Sequence, residues 1–146
     1  QVLIISIMDL LFASPSEADF KQICNCIREF ELDDRGLKKE EFCAAFGKNH
    51  QLLGFGRLRQ HPDCIELCSL GIIKSHRNLG IGTAITNELI KKEPHSIHLV
   101  CIIPAFFIPL GFLVVDSYPV SIQQKLDYCM QSLPVPEPYV AMCLQR

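Results

Sequence analysis

At 146 residues the chain has the length of one domain, 1–146, able to bury roughly two thirds of the surface its unfolded form exposes. A net charge of −2 with no Lys/Arg block leaves no basic stripe for nucleic acid, so no such partner is expected. The eight cysteines contain no C-x-x-C pair, which speaks against zinc, and a reduced, cytoplasmic setting with no metal site is the simpler expectation.

Val2 to Ile7 is an apolar run too short to span a bilayer and, with no basic residue before it, does not read as a signal peptide. Met8 to Ala13 predicts a first strand. Ser14-Pro15-Ser16-Glu17 supplies an N-cap and an early proline for a helix with Ala18, Ile23, Ile27 and Phe30 on its apolar face. Glu31 to Arg35 reads as a charged connection and Leu37 to Phe42 as a second short helix. Phe42 to Phe46 predicts a strand, Gly47-Lys48-Asn49-His50 a hairpin turn, and Leu52 to Leu58 its partner. Across the His61-Pro62 turn, Asp63 to Ile73 predicts the next antiparallel strand.

A helix over Thr83 to Lys92 precedes a stretch from Pro94 to Val115 that holds no Asp, Glu, Lys or Arg. Its apolar part approaches the length of a membrane span, but Pro104, Pro109 and Gly111 break it. It reads as a strand over Ile97 to Ile102, a short helix ending at Gly111-Phe112, and a strand over Leu113 to Val115, so no membrane partner is expected. A helix around Ser121 to Met130, a stiff connector at Pro134-Val135-Pro136-Glu137-Pro138 and a last strand over Tyr139 to Leu144 complete the chain. No repeat or domain linker interrupts it.

The most informative segment is Leu67 to Leu89, where an apolar strand leads through Arg77-Asn78-Leu79-Gly80-Ile81-Gly82 into an amphipathic helix. A glycine-rich turn at a helix start directs unbonded N–H groups and the positive end of the helix dipole at one spot, and glycine lets an anion approach. A nucleotide-bearing cofactor is therefore indicated. The dinucleotide fingerprint G-x-G-x-x-G fails, because Ile85 stands where its third glycine belongs. The triphosphate loop G-x-x-x-x-G-K-[ST] fails too, since Gly47-Lys48 continues into Asn49.

What remains, R-x-x-G-x-G after a strand ending Leu70-Gly71-Ile72, resembles the acetyl-CoA-binding motif of the GNAT acyltransferase superfamily. The resemblance runs from about Met8 to Leu144. Leu52-Leu53-Gly54-Phe55-Gly56-Arg57-Leu58-Arg59 looks like the family's third strand, Ile65 to Ile72 like its fourth, and Ile97 to Ile102 like its fifth. Ala105-Phe106-Phe107-Ile108-Pro109-Leu110-Gly111-Phe112 is similar to its short helix ending in Gly-Phe. The implied fold is α/β (α+β): a mixed, mostly antiparallel sheet of six or seven strands, flanked by helices and splayed between the fourth and fifth strands.

The resemblance also implies the chemistry. Acetyl-CoA would be the co-substrate, with the backbone amides of Leu70 and Ile72 on its pantetheine arm and Asn78, Leu79, Gly80, Ile81, Gly82 and Thr83 around its pyrophosphate. Arg77 would add charge near the phosphates. Gly71 would lie at the bulge that opens the sheet, or would simply relieve crowding. Glu66, the sole charged side chain between Asp63 and Lys74, aligns with a glutamate that in many members accepts the amine proton, directly or through water. An α-amine with a pKa of roughly 8 must lose a proton before attack, and a partly buried carboxylate with a raised pKa suits that role.

One departure stands out: the family often places a tyrosine, as acid to the thiolate, where this chain has Phe107 with Phe106 beside it. Tyr118, Ser117 or Cys101 are the alternatives, or departure unaided or through water. A phenylalanine there is similar to the acetyltransferase domains of the N-acetylglutamate synthase type, as is the tail with Pro119, Lys125, Cys129 and the Tyr139-Val140-Ala141-Met142 strand. An amino-acid acceptor would need a cation for its carboxylate, from Arg57, Arg59 or Lys125. The histidines carry no ligand pattern: His95 and His98 read as strand-entry residues, His76 as an exposed turn residue, His50 and His61 as turn residues.

The leading expectation is therefore an acetyl-CoA-dependent N-acetyltransferase acting on a small-molecule amine such as an amino acid. Acetylation of a protein or peptide amine, and a CoA-binding module without catalysis, are the alternatives. A homodimer stays open.

Overall fold

The computed structural model describes residues 9–146; the apolar run 2–7 and Met8 lie outside the described residues. Seven strands form one sheet in the order β1-β2-β3-β4-β5-β7-β6. They are β1 (Leu11–Ala13), β2 (Phe42–Phe46), β3 (Leu52–Gln60), β4 (Ile65–Ile72), β5 (Ile97–Cys101), β6 (Leu113–Val115) and β7 (Val140–Leu144). Four α-helices accompany them: α1 (Glu17–Glu29), α2 (Ile81–Lys92), α3 (Pro104–Phe107) and α4 (Val120–Ser132). The pairings β1–β2, β2–β3, β5–β7 and β6–β7 are antiparallel. β4 and β5 run parallel and pair through Ile65–Ile97 and Glu66–His98, at the start of each strand. This is the mixed, mostly antiparallel sheet expected.

The chain groups into two compact units, Gln1–Arg57 with Ser69–Leu89, and Leu58–Cys68 with Ile90–Arg146. In the first, α1 opens with a capping box: the Ser16 hydroxyl accepts from the Asp19 amide while the Asp19 carboxylate accepts from the Ser16 amide. Pro15 thus precedes the cap and does not occupy the first helical turn. Ile23, Cys26 and Ile27 face the core and Ala18 is exposed. That core joins α1 to Phe42, Ala44 and Phe46 of β2 and to Leu52 and Phe55 of β3. The helix expected over Leu37 to Phe42 is a single 3-10 turn, Lys39–Glu41, because the strand claims Phe42. In the β2–β3 connection Asn49 and His50 are both left-handed, at φ 57° and 56°.

Two glycines on one face of β3 seat the second helix. A Cβ at Gly54 would lie 2.9 Å from Ile85 Cδ1, and one at Gly56 would lie 3.0 Å from Ile85 Cγ2 and from Leu89 Cδ1. Bare backbone there lets α2 pack directly on the strand.

In the second unit, Ile122 and Leu126 of α4 pack with Ala141 of β7, joined by Val100, Val115, Tyr118 and Tyr139. Gly111 is left-handed, φ 102°, and ends the 3-10 turn Ile108–Leu110 that continues α3. The apolar stretch after Pro94 is broken as its prolines and glycine require. Among the described residues no helix is long and apolar enough to cross a membrane.

Candidate active site

The glycine turn lies in the first unit. Asn78 (φ 65°) and Gly80 (φ 83°) are both left-handed, so the chain reverses sharply after β4 and enters α2 at Ile81. Asparagine and glycine are the residues that adopt this region at least cost. The Ala84 amide closes the first turn on the Gly80 carbonyl at 3.1 Å, so the N–H groups of Ile81, Gly82 and Thr83 precede the helix's first internal bond. Asn78, Leu79 and Gly80 are exposed, Gly82 and Thr83 half-buried. The Ile81 side chain is buried, which leaves only its amide for a ligand. The Thr86 hydroxyl donates to the Gly82 carbonyl at 2.8 Å and stiffens this turn.

β4 leaves regular strand geometry at Ser69, not at Gly71. Ser69 is left-handed, φ 51°, and its hydroxyl donates to the Asp33 carbonyl at 3.0 Å, which fixes the irregular backbone to the connection after α1. Gly71 answers to crowding instead: a Cβ there would lie 2.5 Å from Phe55 Cζ. Beside it Phe30, Leu32, Leu70, Gly71, Ile72 and Arg77 line a cavity of about 270 Å³. The Arg77 guanidinium lies 4.7 Å from the Phe30 ring centre and its Nε donates to the Ile72 carbonyl at 3.0 Å. Its charge therefore stands at the rim of an apolar hollow.

Glu66 lies in the second unit and is fully buried. Its Oε1 is 2.8 Å from His61 Nε2 and its Oε2 is 2.9 Å from Lys125 Nζ. A buried carboxylate requires such compensation, since an unpaired one would cost several kcal/mol. His61, which the sequence marked only as a turn residue, and Lys125 are thus parts of one charged cluster. Asp63 Oδ2 accepts the Ser121 amide at 3.0 Å, and the hydrogen bonds from Ser121 hold its carboxyl below the usual 3.8. Burial, with the negative charge of Asp63 and Glu66, pushes the Cys64 thiol up to about 12. Burial lowers His98, the register partner of Glu66.

The remaining candidates separate cleanly. Arg57 is fully buried and donates to Glu41 Oε1 and to the carbonyls of Arg35 and Gly36, so it holds the fold and does not serve a substrate carboxylate. Arg59 is half-buried on β3. Lys125 is committed to Glu66. Phe107 is buried edge-on between Phe106 (4.9 Å) and Phe112 (5.8 Å), a packing role. Tyr118 packs with Ile122 and Leu126, and the Cys101 thiol donates to Met142 sulfur, with burial raising it. Ser117 is exposed. His76 is buried against Ser75, not exposed as expected, because the 3-10 turn Lys74–His76 folds it inward.

The model of the acetyltransferase (GNAT) family matches residues 6–102. The chain belongs to that family. By fold it is similar to N-acetylglutamate synthase from Neisseria gonorrhoeae complexed with coenzyme A and N-acetyl-glutamate, at 17% identity and TM-score 0.73. That similarity covers 94% of this chain and 35% of the synthase, so the chain spans about a third of that enzyme's length. A Mycobacterium tuberculosis protein in complex with CoA matches at 16% identity and TM-score 0.72, over 93% of this chain and 99% of that one. A GCN5-related N-acetyltransferase from Kribbella flavida matches at 17% identity and TM-score 0.66, over 97% and 100%. No curated protein matches the chain by sequence.

Proposed function

We propose that this GNAT domain acetylates the primary amine of a small molecule, with free amino acids as the acceptor class. The observation that carries the reading is the left-handed Asn78–Gly80 reversal ahead of α2, which leaves three successive amides before the helix's first bond. Such a cradle fits a diphosphate, because donors and helix dipole converge without a lysine. In this reading Asn78 to Thr83 hold the pyrophosphate, and Leu70, Gly71 and Ile72 bind the pantetheine arm along β4. The apolar hollow rimmed by Arg77 supports that assignment. Bound acetyl-CoA would supply an activated acyl group.

The acceptor must arrive as a neutral amine. Glu66 is the carboxylate on which its deprotonation depends, and the pairing with His61 and Lys125 supports a role beyond packing. Fold similarity to a synthase solved with N-acetyl-glutamate supports an amino-acid acceptor. With Phe107 packed in an aromatic cluster, no side chain need donate to sulfur if the amine's second proton goes there.

Thiol release from acetyl-CoA against the twenty free L-amino acids and a set of peptide N-termini tests the proposal. Turnover of one or a few amino acids supports it. Turnover of peptides alone would transfer the activity to protein amines. Calorimetric binding of CoA with no turnover of any amine would leave a CoA-binding module.

A further inference from the structure

Glu66 Oε1 is hydrogen-bonded to His61, Oε2 is ion-paired with Lys125 without a hydrogen bond, and the residue has no exposure to solvent. A carboxylate so enclosed is poorly placed to meet an incoming ammonium group. His61 is different: its Nε2 is held by Glu66 Oε1, its side chain is 16% exposed, and among the described residues its Nδ1 makes no hydrogen bond. A carboxylate beside one imidazole nitrogen fixes the proton there and leaves the lone pair on the other. We propose that His61 Nδ1 is the base that takes the amine proton, and that Glu66 is the positioning residue that sets its tautomer and balances the imidazolium.

The inference rests on the acetyltransferase reading above and deepens it. Proton flow balances as follows. The acceptor ammonium gives one proton to Nδ1, producing a neutral amine and an imidazolium paired with Glu66. The nitrogen–carbon bond then forms, the carbon–sulfur bond breaks, and the second amine proton leaves with sulfur as the free thiol. His61 returns its proton to water through its exposed edge.

The neighbouring groups do not compete for that proton. Lys125, from α4, is ion-paired with Glu66 Oε2 and leaves Oε1 to His61. Asp63, in the same turn, is engaged by Ser121. The Cys64 thiol, pushed up to about 12, stays neutral. Burial lowers His98, from β5, which disfavours a proton there. His61 is the imidazole bonded to Glu66, whereas the His98 Nδ1 atom is itself buried.

Three variants and one spectrum test this. His61→Gln keeps a donor for Glu66 but cannot titrate, and should lower kcat about 10² to 10⁴-fold toward the twenty-amino-acid mixture. Its KM for acetyl-CoA should not change, and its rate should climb with pH as free amine accumulates. His61→Ala should regain activity with added imidazole, and Glu66→Gln should lose activity without such rescue. If Glu66→Gln is inactive while His61→Gln keeps the native rate and pH profile, the base is Glu66 and this inference falls, but the acetyltransferase reading stands. If neither change lowers turnover, this inference falls and the acetyltransferase reading stands; if native protein releases no thiol with any acceptor, both fall. Nitrogen NMR of the imidazoles needs no substrate: the neutral His61 ring should carry its proton on Nε2 and lose that preference in Glu66→Gln. A proton on Nδ1 in native protein overturns the inference.

Discussion

Asp63 Oδ2 accepts the backbone N–H of Ser121 at 3.0 Å, which ties the turn carrying His61 to the helix carrying Lys125. Pro119 sits at the N-cap of α4 and has no side-chain acceptor, so a carboxylate from a distant turn fills the vacancy. His61 and Lys125 thereby gain a common brace.

The brace is sensitive to acid in a defined direction. Hydrogen bonds from Ser121 depress the Asp63 carboxyl below its ordinary 3.8. A depressed folded value means stabilisation that is complete above about pH 4 and disappears as pH falls through the folded value. Melting midpoints of native protein and Asp63→Asn should differ near neutrality, with the gap narrowing from about pH 4 downward. A gap of constant size would assign the difference to something other than this charge.

Gly80→Ala places a Cβ on a backbone at φ 83°. The left-handed region costs a non-glycine residue about 1–2 kcal/mol, so the melting midpoint should fall by several degrees. CoA affinity by calorimetry should fall about tenfold or more as the cradle relaxes, tenfold corresponding to about 1.4 kcal/mol. Unchanged CoA binding in a destabilised variant would detach the turn from ligand recognition.

Glu41→Met leaves Arg57 buried without its anion. Breaking one partner of a buried pair costs about 3–5 kcal/mol, to be read as a fall in the urea midpoint at unchanged slope. A loss below about 1 kcal/mol would show that the Arg35 and Gly36 carbonyls alone hold the guanidinium.

Phe107→Tyr restores the hydroxyl that related enzymes use as an acid, yet places it inside the Phe106–Phe107–Phe112 cluster. An unsatisfied buried hydroxyl costs about 1–3 kcal/mol. Thermal stability should drop with no gain in turnover. A faster enzyme would mean that position 107 reaches the departing sulfur.

Much of this was legible in the chain because the decisive signals are local. Leu113–Val115 needed only flanking breakers, and the Asn78–Gly80 reversal needed only residues that tolerate positive φ. What escaped was what depends on partners distant in sequence. Ser69 carries no mark of a left-handed residue; it takes that conformation because Asp33, 36 positions earlier, receives its hydroxyl. Gly71, which read as a bulge or as relief of crowding, is a clearance for the Phe55 ring. His61 read as a turn residue because its carboxylate partner sits five residues on, across a hairpin, and Lys125 only comes into reach through α4. Arg57 gave no sign that its charge would be spent on Glu41 and two loop carbonyls.

Gly54 and Gly56 have a mechanical consequence. Because the Ile85 and Leu89 side chains of α2 meet bare peptide backbone there, the helix sits close above β3, like a beam laid on a bare sill. A methyl group inserted at either position would press on the ends of those side chains, which would have to give way. Under the proposed function the amides at its front end hold a diphosphate, and the two side chains the protein omits would then bear on how closely that anion is seated.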